Sequence, residues 1–102
     1  MEWYQYLAAF FAGAFLANSV PHFVYGIAGD KFPTPFSKPR GIGLSSPTLN
    51  VVWALFNMVI GYLLFRSGHV SDDSLLPRLT CFAGVAAMSI QLSIGFQRKH
   101  KA

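Results

Sequence analysis

Charge is the scarcest thing in this sequence. Asp and Glu total 4 and Lys and Arg total 8 in 102 residues, so 12% of the chain is charged, where a water-soluble domain carries roughly a quarter. Cysteine is nearly absent too. Cys81 stands alone, which excludes an intramolecular disulfide, and its apolar surroundings make it a packing residue rather than a redox centre. The histidines, His22, His69 and His100, lack the close spacing of metal ligands, and no metal or cofactor is expected. Complete phosphate-binding and nucleophile motifs are missing as well. GIAGDK falls short of the full phosphate-cradling loop, and GIGLS has neither the third dinucleotide glycine nor the lipase elbow.

Three stretches contain no Asp, Glu, Lys, Arg or His at all: Trp3 to Val20, Thr48 to Phe65, and Leu79 to Phe96. Each is eighteen residues long and as a helix reaches roughly 27 Å, close to the hydrocarbon thickness of a bilayer. None shows the solvated face that a helix of a small soluble bundle needs. The fold class expected is therefore all-α integral membrane, a single domain of three transmembrane helices over about 3–20, 48–65 and 77–96, with an ordered cytoplasmic loop cap over 21–47. The first run is preceded by Glu2 and no basic residue, unlike a secretory signal, so it is expected to remain as a helix. Pro21 is expected to end or bend that helix near Ser19, while Ser46 and Pro47 read as the cap and first turn of the second.

The charges that exist are unevenly placed. Lys31, Lys38, Arg40, Arg98, Lys99 and Lys101 fall on one side of such a topology, whereas Arg66 and Arg78 on the other are offset by Glu2, Asp72 and Asp73. The positive-inside rule puts the long connector and the C-terminus in the cytoplasm and the N-terminus outside, in a multi-pass protein of, we expect, a bacterial plasma membrane. The net charge of +4 needs only anionic headgroups as its counterpart, and no nucleic acid.

Small residues line each run. Ala9, Gly13 and Ala17 recur every four positions in the first, Asn50, Ala54, Asn57 and Gly61 form a stripe in the second, and Thr80, Gly84, Ala87 and Gln91 one in the third. Such stripes face protein rather than lipid. Asn57, near mid-helix, reads as interhelical glue. Asn18, His22, Asn50 and Gln91 lie at similar depth and are the candidates for a polar cluster under the connector.

The connector is long for a segment without regular structure, and its apolar anchors speak for order. Tyr25, Asp30, Lys31, Phe32, Phe36, Lys38 and Arg40 are the candidate cap residues; FPTPF reads as a stiff extended element with a ring at each end. His22, Asp30 and Ser37, Ser45 or Ser46 supply the residue types of a catalytic triad, but so does any polar loop. No Asp, Glu, Lys, Arg or His falls within the three apolar runs, which disfavours energised transport. The reading preferred is a non-enzymatic accessory or scaffold subunit, partnered by membrane lipids and by itself or a larger membrane protein. The alternatives are a homo-oligomeric channel or passive transporter, and a small enzyme acting on a lipid-like substrate.

Overall fold

The structure, a computed structural model, describes residues 2–40, 42–70 and 74–97. Three helices fill it: α1 (Trp3–Ile27), α2 (Pro47–Ser67) and α3 (Leu75–Phe96). All three are long and apolar enough to cross a membrane, and the protein is an all-α, multi-pass membrane protein with an ordered loop region. Within the described residues nothing bears on the basic tail Arg98, Lys99 and Lys101 or on Asp72 and Asp73.

Helix α1 is the axis of the bundle. It packs against both neighbours, whereas α2 and α3 barely meet. Contacts along α2 run backwards: Gly26 lies against Pro47 and Val51, Leu16 against Gly61, and Ala9 against Gly68. Contacts along α3 run forwards, from Phe10 beside Gly84 to His22 beside Phe96. α2 is thus antiparallel to α1, and α3 parallel to it. The small residues are what permit this: a Cβ at Gly13 would strike the Cys81 carbonyl oxygen, and one at Gly84 the Phe10 carbonyl oxygen. Backbones meeting this closely recover dispersion contacts that lipid tails would otherwise supply, which is how helices associate without a hydrophobic driving force between them.

Pro21 does not end α1. The helix runs through it for six more residues, to Ile27. Proline removes one backbone bond, at a cost of about 3 kcal/mol in an exposed helix, but here the following turn is held from outside by α2, with His22 bonded to Asn50 and Gly26 pressed on Pro47. Neighbouring helices commonly make such a proline tolerable in a membrane. Termination comes later, at a Schellman turn. Gly29 takes a left-handed φ of 80°, the Asp30 amide donates to the Tyr25 carbonyl at 2.9 Å and the Gly29 amide to the Gly26 carbonyl at 3.1 Å, as the motif requires. α2 begins as its sequence implies. The Ser46 hydroxyl accepts from the Leu49 amide at 3.1 Å, with Pro47 in the first turn.

The stripe expected on α3 holds only in its first half. Gly84 is buried, but Ala87 and Gln91 are exposed, and Gly95 has open space where a Cβ would stand. Cys81, Val85 and Leu92 are the half-buried flank instead. The stripe is spaced four, three and four, which holds one helix face to within about 20° over three turns, so its second half is exposed because α3 meets α1 along its flank, with Cys81 and Val85 against Gly13.

Candidate functional site: the capped end

Local chemistry folds the connector back on itself. After the turn at Gly29, Phe32 and Ser45 pair as an isolated antiparallel bridge, with the Ser45 amide donating to the Phe32 carbonyl at 3.0 Å and the reverse bond at 3.3 Å. Inside that loop the FPTPF segment turns sharply rather than lying extended. The Thr34 amide donates to the Ser37 hydroxyl at 2.8 Å, the Ser37 hydroxyl donates to the Thr34 carbonyl, and the Thr34 and Ser45 hydroxyls share a bond of 2.6 Å. Thr34, Ser37 and Ser45 are buried, and each hydroxyl has a partner, as buried polar groups require.

Asn50 ties this knot to the helices. It is fully buried. Its side-chain nitrogen donates to the carbonyls of Phe32 at 2.9 Å, Ser46 at 3.0 Å and Ser45 at 3.3 Å, while its Oδ1 lies 2.8 Å from His22 Nδ1. Carbonyls only accept, so the amide nitrogen must be the atom that faces them. Oδ1 is then the acceptor toward α1, and His22 Nδ1 carries the proton. In the neutral ring this leaves Nε2 as a bare acceptor. One asparagine on the first turn of α2 therefore joins both strands of the bridge to α1.

Aromatic rings complete the seal. Phe32 is 3% exposed, stacks on Tyr25 with centroids 4.5 Å apart and meets Phe96 edge-on at 4.6 Å. The His22 ring lies edge-on to both Phe32 and Phe96. Phe36, the second ring of FPTPF, points the other way: it is 60% exposed and rests edge-on against Trp53 at 5.2 Å.

One turn deeper, Asn18 donates through its side-chain nitrogen to Asn57 Oδ1 at 3.0 Å, and Asn57 donates to the Trp53 carbonyl of its own helix at 2.8 Å. The structure thus brings Asn18, His22, Asn50 and Asn57 to the α1–α2 seam as two bonded pairs. Gln91 is not brought there. It lies exposed on α3, because the contact face of that helix passes through Val85 and Leu92. Asp30, Lys31, Lys38 and Arg40 are exposed on the cap, and among the described residues Asp30 and Lys31 form no ion pair. The residue types of a triad are not assembled: Asp30 faces solvent, and Ser37 and Ser45 bond to Thr34 rather than to His22. Among the described residues no three of His, Cys, Asp and Glu are grouped to hold a metal ion.

Beneath the cap lies a cavity of about 310 Å³, walled by His22, Asn18 and Trp53 from the helices, Thr34 and Arg40 from the connector and Phe96 from α3. Trp53 Nε1 is buried without an acceptor. No protein-family model, no curated protein and no solved structure matches the chain, so its chemistry is read from this geometry alone.

Proposed function

We propose that the protein is a non-enzymatic accessory or scaffold subunit, which presents the cap as a rigid docking surface to a larger membrane protein. The observation that carries the reading is the cap itself. A connector knotted by buried hydroxyls and pinned by Asn50 still holds Phe36 and Leu44 outward at 60% and 59% exposure, beside the exposed cations of Lys31, Lys38 and Arg40. Ordering a segment costs about 1–2 kcal/mol per residue in backbone entropy. A fixed apolar and basic surface recovers that cost when it meets a complementary one without further ordering. The positive-inside bias supports placing it on the cytoplasmic side of a bacterial plasma membrane.

Two findings weigh against the other classes. Passive permeation needs polar side chains along a shared route, yet Asn57 and Asn18 bond each other, and Gly13, Gly61 and Gly84 are taken up by contacts between α1 and its two neighbours. Catalysis by the serine, histidine and aspartate types lacks its contacts. The test is the native mass of the protein extracted with its surrounding lipid. A complex with a larger membrane protein, lost on Leu44→Asp or Phe36→Asp, is the expected result; a monomer or closed homo-oligomer of this chain alone overturns the reading.

A further inference from the structure

The cavity under the cap has polar groups that the fold leaves over. His22 is 2% exposed, and its Nδ1 proton is committed to Asn50. No described residue donates to Nε2, which remains an acceptor in the neutral ring. Trp53, which also lines the cavity, has an indole N–H with no acceptor, and a buried donor left unpaired is destabilising. Arg40 reaches the same cavity from the cap and forms no ion pair among the described residues. Residues that carry an acceptor, a neutral donor and a cation thus line one space, at the small end of ligand pockets in size.

Those three groups ask for different things of one ligand. Arginine favours an oxyanion and binds phosphate geometry especially well; the indole N–H also needs an oxygen acceptor; imidazole Nε2 needs a hydroxyl proton. Leu92 and Phe96, which wall the cavity, also wall a mostly apolar groove of about 510 Å³ between α1 and α3. We propose that the cavity binds the headgroup of an anionic phospholipid bearing a free hydroxyl, of the glycerol phosphodiester type. Its phosphate oxygens accept from Arg40 and, after a small turn of the ring, from Trp53 Nε1. A headgroup hydroxyl donates to His22 Nε2, and an acyl chain lies in the neighbouring groove. A soluble phosphate ester satisfies the polar groups and leaves the groove unused. This site does not depend on the accessory-subunit reading, since a lipid binds here with or without a protein partner.

The test is lipid retention in native mass spectra of the detergent-solubilised protein, titrated in parallel with phosphatidylglycerol, phosphatidylmethanol and phosphatidylcholine. Phosphatidylmethanol keeps the charge and lacks the hydroxyl. Phosphatidylglycerol is expected to bind about fivefold more tightly than phosphatidylmethanol, the size of one neutral hydrogen bond, and more than about tenfold more tightly than phosphatidylcholine, which lacks the same hydroxyl and sets a quaternary ammonium beside the Arg40 guanidinium. Arg40→Gln, on an exposed side chain, lowers phosphatidylglycerol and phosphatidylmethanol binding alike, by about tenfold. Trp53→Phe keeps a ring of similar shape and lowers it about threefold. Equal retention of phosphatidylglycerol and phosphatidylmethanol overturns the proposal, as does unchanged binding in both variants. Displacement of the lipid by an equal concentration of glycerol 3-phosphate overturns the lipid as the ligand in favour of a soluble phosphate ester.

Discussion

Helices α2 and α3 both lie along α1, but different chemistry holds each of them. α2 is joined to α1 by side-chain hydrogen bonds, Asn57 with Asn18 and Asn50 with His22, over a seam of buried Ala54 and Gly61. Between α3 and α1 no side-chain hydrogen bond runs among the described residues, and only Pro77 and Gly84 of α3 are buried. Its attachment depends on backbones touching at Gly13 and Gly84. The polar seam fixes register and orientation, because an amide in hydrocarbon must find its particular partner. A glycine contact fixes only distance, and so it tolerates change everywhere except at the contact.

Substitutions that sharpen this contrast differ in size. Asn50→Leu is expected to be the most damaging, lowering stability in detergent by about 3–4 kcal/mol, because it strands His22 Nδ1 and the carbonyls of the bridge in a buried setting. A loss under 1 kcal/mol would mean that the cap is held by its rings and not by the amide. Gly84→Val comes next. Its side chain cannot coexist with the Phe10 carbonyl, and a loss of about 2–3 kcal/mol with separation of α3 is predicted; a cysteine cross-link between α1 and α3 that still forms efficiently would contradict the close contact. For Asn57→Leu we expect only about 0.6 kcal/mol, the usual worth of an interhelical bond in a membrane, and no more than about 1.7. Gln91→Leu and Gly95→Ala should leave the unfolding midpoint within about 0.5 kcal/mol of the parent. A larger effect at either would place α3 in a different rotation about its axis.

Much of this was legible in the sequence, and the parts that were not have physical reasons. The three apolar runs predict the three helices, since uncharged stretches of bilayer length have few other fates. Ser46 and Pro47 mark the start of α2 because capping is local chemistry. Pro21 misleads for the opposite reason: what keeps α1 helical beyond it is contact with α2, which no local rule sees. Gln91 shares its depth with Asn50, yet depth is one coordinate and rotation about the helix is another. The hydroxyls of Ser37 and Ser45 suggest nucleophiles when read singly, and only their bonds to Thr34 and the bridge between Phe32 and Ser45 show that they are fasteners. Nothing in the sequence shows that the Trp53 N–H is buried without an acceptor, since that depends on how the indole packs between Phe36 and Phe56.

The central claim is that the connector is a fixed cap, pinned to the helices through Asn50. Hydrogen exchange in lipid nanodiscs tests it most directly, followed at the backbone amides of Phe32 and Ser45, which the bridge occupies. The account predicts strong protection at both amides in the parent, and its loss in Asn50→Leu while mid-helix amides of α1 stay protected. Exchange of both amides at unprotected rates in the parent would contradict it, and the connector would then be a mobile loop over a bare bundle.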